Sequence, residues 1–410
     1  MAREMKDSGI EWIGEIPAEW DVSKVKYYVE CYDGKRVPVD ASLRTKGVYP
    51  YWGAGSITDY VSDYLFDEEL ILLGEDGAPF FDDTRPVAFL INEKVWVNNH
   101  IHVLKPHKTV ESRFLVYWLN NVDYKAYING SILNKLTQAN MNKIAFAVPC
   151  LLEQHRIADF LDRKCAEIDR VLEKTRASIE EYKKLKQSVI TQAVTKGIRG
   201  EREMKDSGIE WIGEIPREWE ISLLKYSIKW KSVKGYGQET ILSLYRDYGV
   251  VIKDSRDDNH NVTSLDTDTY KFVEIGDFVI NKMKAWQGSM AVSNYNGIIS
   301  PAYHVCQIIN PNVFKRYFHH LMRNQLYIPE YTRLSTGMRI GQWDLSFDDF
   351  RNLPFIIPPM DEQIEIADYI DRKCSEIDTL ISKKEQLITE LEAYKKSLIY
   401  EYVTGKKEVQ

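Results

Sequence analysis

A seven-residue spacing of apolar side chains marks the C-terminal part of the chain. Between Glu362 and Gly405 the sequence contains neither glycine nor proline, and Lys384 alone interrupts the stripe. A weaker stripe runs from Glu153 to Gly197, again without glycine or proline between them. The apolar positions are Ile377, Leu380, Leu387, Leu391, Tyr394 and Leu398 in the later segment and Ile168, Val171, Tyr182, Leu185 and Val189 in the earlier one. Each segment predicts one helix of about 40 residues, roughly 60 Å long.

A narrow apolar stripe of this length needs a partner helix, and each segment is the obvious partner of the other. A link of only a few residues, Gly197 to Arg202, separates the first segment from the second half of the chain. We therefore expect the helices to pair antiparallel about a pseudo-twofold axis. The alternative is that each helix lies only on its own globular domain.

Two internal repeats support this arrangement. The stretch "REMKDSGIEWIGEIP" occurs at Arg3–Pro17 and again at Arg202–Pro216; we call it the short repeat. The stretch "EQHRIADFLDRKCAEID" at Glu153–Asp169 matches "EQIEIADYIDRKCSEID" at Glu362–Asp378, which we call the long repeat. Between them lie two stretches without comparable identity, the first insert and the second insert. The predicted domains are 1–17, 18–148 (first insert), 149–200, 201–216, 217–357 (second insert) and 358–410.

The short repeat contains a helix-capping signal and several large apolar side chains. Ser8 and Glu11 form an S-x-x-E pattern, which predicts a short helical turn ending near Gly14. Its Ile and Trp side chains must dock on another element. Pseudo-symmetry predicts that the first copy lies beside the end of the second long helix and that both copies occupy equivalent environments.

The inserts have a mixed pattern that predicts short strands and one helix each. Strands are expected at 69–76, 86–91 and 95–104 in the first insert, and at 272–280, 288–293 and 302–309 in the second. Helices are expected at 112–120 and 313–324. The predicted fold class is α+β, with two globular domains containing small twisted β-sheets, joined by two long antiparallel coiled-coil helices in a pseudo-twofold, circularly arranged repeat.

Composition narrows the classes of function. The formal charge is −7 and no apolar run is long enough to span a bilayer, so the sequence favours a cytoplasmic protein and does not by charge alone indicate a nucleic-acid binder. The five cysteines never form a C-x-x-C pair, which argues against disulfides and a zinc knuckle. Acidic and basic residues are almost equal in number in each insert.

Sequence signatures of catalysis are missing. The chain has no G-x-x-x-x-G-K-[ST] phosphate loop, and its Pro358-Pro359 pair lacks the flanking residues of an amino-methyltransferase. His100 and His102 raise the question of a metal site. Because no third ligand is found nearby in the sequence, a structural role for both histidines is the better interpretation. Glu75 and Asp76 are either catalytic carboxylates or, as we favour, turn residues between glycines. We therefore predict no catalytic residue and no metal site in this chain.

Several motifs occur in a fixed order along the chain. They are the "MKDSGIEWIGEIP" repeat, "LLGEDGAPF" and "NNHIHVL" in the first insert, "NKMKAWQGSMAVSNYNGIISPAYHV" in the second, and the "EQ-x-x-IA" helix starts. Together these motifs resemble type I restriction-modification specificity subunits. The resemblance covers essentially the whole chain, and the order and duplication of the motifs are its most specific features.

The resemblance implies that each insert is a target recognition domain reading one half of a split, asymmetric site in double-stranded DNA. The long helices would set the spacer and bind two methyltransferase subunits, and restriction endonuclease/translocase subunits would complete the complex. This chain would hold no cofactor, while S-adenosylmethionine, ATP and Mg would belong to the partner subunits. The alternatives are a standalone DNA-binding regulator and a non-catalytic assembly scaffold; an enzyme is a more distant reading.

Candidate DNA contacts are polar residues in the loops of each insert, because such side chains present donors and acceptors to base edges. Ordinary solvated loops have a similar composition, so each residue also has a purely structural reading. The candidates are Asn98, Asn99, His100, Asn134, Lys135, Gln138 and Asn140 in the first insert, and Lys282, Lys284, Trp286, Gln287, Tyr303, Arg333, Arg339 and Gln342 in the second.

Overall fold

The computed structural model describes residues 3–82, 84–128, 134–255, 267–337 and 343–409. Two compact units divide the chain. One unit comprises Met1–Thr175 with Gln386–Gln410, and the other comprises Arg176–Glu385. Among the helices of these ranges, none is both long and apolar enough to cross a membrane.

Over its described residues, the first half of the chain forms four sheets and three α-helices. The elements are β1 Met5–Asp7, β2 Glu15–Pro17, β3 Asp21–Lys24, β4 Val29–Cys31, β5 Lys46–Trp52, β6 Ile57–Val61, β7 Phe66–Asp67, β8 Leu70–Gly74, β9 Ala88–Ile91, β10 Lys94–Val97, β11 Ile101–Pro106, α1 Ser112–Leu119, α2 Gln138–Met141, β12 Ala145–Val148 and α3 Leu151–Lys196. One four-stranded sheet has the order β4-β11-β8-β9 and a second has the order β6-β5-β10-β7, while β1 pairs with β2 and β12 pairs with β3.

The second half, where the structure describes it, consists of short strands, three short α-helices and one long one. The elements are β13 Met204–Asp206, β14 Glu214–Pro216, β15 Glu220–Leu223, β16 Ile228–Lys231, β17 Leu242–Tyr245, β18 Gly249–Ile252, β19 Lys271–Val273, β20 Phe278–Asn281, β21 Met290–Val292, β22 Gly297–Ile299, β23 Tyr303–Ile308, α4 Lys315–Met322, α5 Ile328–Leu334, β24 Ser335–Thr336, β25 Asp344–Leu345, α6 Phe347–Phe350, β26 Pro354–Ile357 and α7 Met360–Val403. These strands form a four-stranded sheet of order β16-β23-β20-β21 and several two-stranded pairs.

The two inserts share the topology of one four-stranded sheet in spite of their dissimilar sequences. The order β4-β11-β8-β9 in the first corresponds to β16-β23-β20-β21 in the second, and every pairing within both sheets is antiparallel. The central strands are buried on both faces, as β8 and β20 show along their whole length. Because one apolar side chain can replace another there without changing the backbone, topology persists where identity does not. The predicted α+β class is confirmed.

Two of the predicted strands are wrong in extent, and the helices are right. The expected strand over 95–104 is two strands, β10 and β11, separated by a turn at residues 98–100. The expected strand over 272–280 is likewise β19 and β20. In both places a run of β-forming residues contains a polar or glycine-containing turn that directs the chain into a different pairing. The helices predicted over 112–120 and 313–324 are confirmed as α1 and α4.

The long helices pair antiparallel within each unit. In the first unit the rings of Phe160 and Tyr402 lie 4.4 Å apart, and Lys395 Nζ lies 2.6 Å from Asp169 Oδ1. In the second unit Lys186 Nζ lies 2.7 Å from Asp378 Oδ2. The Asp169–Lys395 and Asp378–Lys186 pairs occupy equivalent positions of the repeat. The predicted helix pairing is confirmed, and the alternative in which each helix lies only on its own domain is wrong.

The predicted apolar seam of these helices is only partly buried. Ile168, Ile377 and Leu398 are buried, Tyr182, Val189 and Leu391 are half-buried, and the remaining side chains of the stripe are exposed. The exposed members are Val171, Leu185, Leu380, Leu387 and Tyr394. The seven-residue spacing therefore predicts the helices correctly but assigns more residues to the helix–helix contact than the contact holds.

The short repeat is a β-hairpin, which its capping signal did not predict. Strands β1 and β2 pair antiparallel, and a single helical turn joins them through the Gly14 N–H bond to the Ile10 carbonyl. The Ser8 hydroxyl accepts from the Ile10 N–H, one residue short of the Glu11 N–H that a capping box uses. Strands of only three residues leave too short a pattern for sequence-based recognition.

Each hairpin docks where the sequence predicts. In the first unit the Tyr400 hydroxyl donates to the Trp12 carbonyl, and Lys406 donates to the Ile13 carbonyl. The predicted position of the first short repeat beside the end of α7 is therefore confirmed. In the second unit Lys196, at the end of α3, donates to the Glu214 carbonyl. The two copies thus occupy equivalent environments, as expected.

Candidate nucleic-acid interface

In the first insert, three loops meet where the central strand β8 ends and the central strand β11 begins. The backbone N–H groups of Glu75 and Asp76 donate to the His100 carbonyl. The Leu136 N–H donates to the Glu75 carbonyl at 2.7 Å, and Asp76 pairs with Lys135 as an isolated bridge. We call this surface the polar edge of the first insert. It brings the predicted residues Asn98, Asn99, His100, Asn134 and Lys135 into one region.

A buried polar cluster lies under this edge. His102 is fully buried, with Nδ1 2.6 Å from Asp33 Oδ2 and Nε2 2.8 Å from the Leu136 carbonyl. Arg36 donates to Glu75 at 2.6 Å and to the Ile101 carbonyl at 2.8 Å. Burial acts to raise the pKa of Asp33, but the hydrogen bonds from His102 and the Val103 N–H, together with the Arg36 charge, hold it below its ordinary value. The cluster fixes the backbone of the loop around Leu136.

The sequence expectation that no third ligand lies near His102 is wrong. One ligand atom each from Asp33, Glu75 and His102 lie within 4.8 Å of one another, which is the composition of a metal site. The Arg36 guanidinium already lies 2.6 Å from Glu75 and 3.5 Å from Asp33. An arginine that pairs with both carboxylates supplies the positive charge that a metal ion would otherwise bring. The geometry is that of a charge-compensated structural cluster.

The remaining candidates of the first insert differ in their freedom to contact a ligand. Asn99 and His100 are exposed, and the His100 ring lies 3.5 Å from the Asp76 carboxylate. Gln138 is exposed at the start of α2. Asn140 donates to the Tyr127 carbonyl and accepts from Lys143, so its side chain is used within the protein. As DNA contacts these residues stay predictions.

In the second insert, the corresponding polar edge lies around a 3₁₀ helix, Lys282–Gln287, that directly follows β20. Lys282 Nζ lies 3.3 Å from Asp344 Oδ2, and Lys284 is exposed. The rings of Trp286 and Trp343 lie 5.4 Å apart in an edge-to-face contact. Gln287 is half-buried beside them.

The other candidates of the second insert lie at different places. Tyr303 begins β23, and burial together with the nearby Tyr245 and Tyr270 raises its pKa. Arg333 is exposed on α5 and lies 2.7 Å from Glu330. Arg339 and Gln342 lie outside the described residues.

The two polar edges are equivalent residue by residue. Within the paired strands His102 faces Leu73, and His304 faces Ile280 in the same register, so Glu75 corresponds to Lys282. The offset of the long repeat extends back through Thr137 and Ser346, which cap α2 and α6 with the same hydrogen bond. By that offset Leu136 corresponds to Leu345 and Lys135 to Asp344.

The histidines at the equivalent positions have different surroundings. Ser232 of the second insert stands where the first has Asp33. Within the described residues neither ring nitrogen of His304 has a hydrogen-bond partner; the ring faces the Leu345 backbone without hydrogen-bond geometry. Burial and the nearby Lys271 and Lys282 charges hold the pKa of His304 below its ordinary value. The two inserts therefore keep one backbone arrangement but differ in charge.

Sequence reasoning missed several residues of these edges. Arg36 and Asp33 lie far along the chain from His102 and carry no motif. Asp344 was detectable, because extending the long-repeat alignment toward the N-terminus through Ser346 aligns it with Lys135. The sequence assigned Glu75 to a turn, whereas it lies in irregular backbone directly after β8 and forms an ion pair with Arg36.

Comparisons with known proteins agree with this duplicated arrangement. The family model of the type I restriction modification DNA specificity domain matches residues 17–181 and 234–393. A putative type I restriction enzyme specificity subunit of Haemophilus influenzae is 35% identical over 127 residues, which cover 31% of this chain and 32% of that protein. The MjaVIII specificity subunit of Methanocaldococcus jannaschii is 22% identical over 421 residues, covering 96% of this chain and 94% of that subunit.

Two solved structures share the fold. A chain from a type I restriction-modification system superposes with a TM-score of 0.67 at 13% identity, covering 96% of this chain and 99% of its own. The HsdS subunit of Thermoanaerobacter tengcongensis superposes with a TM-score of 0.53 at 14% identity, covering 96% of this chain and 98% of its own.

Proposed function

The chain belongs to the type I restriction modification DNA specificity family, and we propose that its two inserts each read one half of a bipartite, asymmetric DNA site. One observation carries this proposal: the inserts share one four-stranded sheet and an equivalent polar edge, yet the charges at that edge differ. Two inserts with an equivalent polar edge but different charges on it are suited to two different half-sites. A chain with identical inserts would instead suit a palindrome.

We propose further that the long helices set the spacer between the half-sites. Helices α3 and α7 are continuous over 46 and 44 residues, and each contributes to both compact units. A continuous α-helix has a fixed rise of about 1.5 Å per residue, so the number of residues in the helix fixes its length. Half-sites read from one face of DNA are expected about one helical turn, roughly 34–36 Å, apart.

The docking of methyltransferase subunits on the helices is also a proposal. It is supported by the apolar side chains Leu185, Leu380, Leu387 and Tyr394, which are exposed on the long helices of this chain. A bound partner subunit would cover them. The near balance of charges in both inserts supports a role for partners in holding the DNA phosphates. In this proposal the partner subunits carry S-adenosylmethionine, ATP and Mg.

The test is co-expression with the cognate methyltransferase subunit in a host without methylation, followed by single-molecule mapping of methylated adenines. The proposal expects one split, asymmetric motif that depends on both chains. A contiguous or palindromic motif would contradict it. Methylation without sequence preference would favour the scaffold alternative, and tight sequence-specific binding by this chain alone would favour a standalone regulator.

A further inference from the structure

An ion pair at the polar edge occurs in both inserts with its charges reversed. In the first insert the acidic member, Glu75, follows β8, and Lys135 precedes α2 at 3.6 Å. In the second the basic member, Lys282, follows β20, and Asp344 precedes α6 at 3.3 Å. The strand register and the repeat offset make these positions equivalent. The backbone is retained while each member of the pair changes sign.

The two members of each pair differ in exposure. The member that follows the strand is the less exposed one, at 14% for Glu75 and 27% for Lys282. The member that precedes the helix is the more exposed, at 47% for Lys135 and 57% for Asp344. Each insert therefore presents one charged side chain outward from the same position, a cation in the first and an anion in the second.

In the first insert the outward lysine is not needed to neutralise its partner. Arg36 donates to Glu75 at 2.6 Å, closer than Lys135, which lies 3.6 Å from the same carboxylate. The loop is also fixed independently of Lys135, by the His102 contact with the Leu136 carbonyl and by the Leu136 N–H bond to Glu75. The Lys135 ammonium is thus positioned by its neighbours and retains donors for another acceptor.

An exposed carboxylate has a narrow range of partners at a DNA surface. Phosphates repel the Asp344 carboxylate, so it makes a favourable contact with DNA only where a base supplies a hydrogen-bond donor. In the major groove cytosine N4 and adenine N6 are donors, but adenine N7 beside N6 is an acceptor that disfavours a carboxylate. Cytosine is therefore the base that suits Asp344. A lysine, which has donors alone, suits the O6 and N7 acceptors of guanine.

We propose that Lys135 and Asp344 are specificity-determining residues, with Lys135 reading a guanine in one half-site and Asp344 a cytosine in the other. This inference rests on the proposed function, because it assigns a base to each half of the split site. The competing explanation is that both pairs only hold their loops in place.

Exchanging the charges of the second pair separates the two explanations. The Lys282→Asp/Asp344→Lys double variant keeps opposite charges at the same positions. If the pair only holds the loop, the methylated motif stays that of the wild type. If Asp344 reads a base, one cytosine of one half-site changes to guanine and the other half-site is unchanged.

Single variants test the same point without relying on the exchanged pair. Asp344→Ala, at an exposed position, is expected to lower discrimination at one cytosine by about ten- to hundredfold. Lys135→Met is expected to lower discrimination at one guanine in the other half-site by a similar factor. Glu214→Ala, an exposed acidic residue of the β13–β14 hairpin, is the matched control and should leave the motif unchanged.

All variants are mapped in the co-expressed complex, and thermal melting with co-purification of the methyltransferase confirms folding. A wild-type motif from both Asp344→Ala and Lys135→Met overturns the inference but leaves the bipartite function intact. A failure of the wild-type chain to direct a split motif overturns the proposed function instead. If the double variant does not fold, the two single variants decide the question.

Discussion

The guanidinium of Arg202 lies 2.6 Å from the carboxylate of Glu362, at the point where the second short repeat meets the start of α7. The same carboxylate accepts from the Trp219 indole at 2.9 Å. Arg3, Glu153 and Trp20 repeat this arrangement in the first unit, with Arg3 2.7 Å from Glu153. The first residue of each short repeat and a tryptophan three residues after its end thus meet on one glutamate of each long helix.

Removing the Glu362 charge should destabilise the second unit. Glu362 is 1% exposed, so Glu362→Gln leaves Arg202 facing a neutral group in a largely buried site. We expect a loss of about 2 kcal/mol in the free energy of unfolding. Urea unfolding measures it. Glu203→Gln, in the exposed Arg217–Glu203 pair, is the control and should change stability by less than about 0.5 kcal/mol. Equal losses in both variants would refute a special role for this carboxylate.

Acid should weaken the contact between α4 and α7. A hydrogen bond from His320, opposed by burial and aided by Arg316, lowers the pKa of Asp371 to about 2. Because the folded pKa is below the unfolded one, the stabilisation is present above about pH 4 and is lost as the pH falls toward 2.

Asp371→Asn should therefore lower the melting temperature at pH 7, and the difference from the wild type should shrink as the pH approaches 2. Thermal melting across this range measures the effect. Asp348→Asn, at a carboxylate that is 89% exposed beside Arg351, serves as the control. A constant difference at all pH values would show that the lowered pKa of Asp371 does not contribute.

Lengthening both helices should lengthen the DNA spacer. Insertion of one heptad after Ser178 and one after Leu387, which are equivalent positions of the repeat, adds about 10 Å to each helix. At about 3.4 Å per base pair the unread spacer should grow by about three base pairs. Methylation mapping gives the spacer directly. A seven-residue insertion after Gly200, outside both helices, should leave the spacer length unchanged. A constant spacer in the heptad variant would show that helix length does not set the spacer.

The isolated chain should bind DNA weakly, and the methyltransferase subunit should strengthen binding. Nearly equal numbers of acidic and basic residues in each insert leave little net charge for phosphate contacts. Fluorescence anisotropy of a duplex carrying the mapped motif, titrated at several salt concentrations, measures affinity and salt slope with and without the partner. Tight binding by this chain alone, with a shallow salt slope, would contradict the expectation.

Much of the architecture could be predicted from the sequence because it depends on local pattern and on repetition. A long stretch without glycine or proline and with a seven-residue apolar spacing has one favourable conformation, so α3 and α7 were predictable in position and approximate length. Duplication of the short and long repeats also fixed their equivalent docking, since identical sequences form identical contacts.

The sequence by itself therefore determined the long helices, the duplicated frame and the family. Only the tertiary structure decided that the two inserts share one four-stranded sheet, and that Glu75–Lys135 and Lys282–Asp344 are one pair with reversed charges. The reason is physical: buried strands exchange apolar residues freely, and an ion pair joins side chains about sixty residues apart that no local pattern connects. For the same reason the Asp33–His102 cluster and the short hairpin strands became visible only in the folded chain.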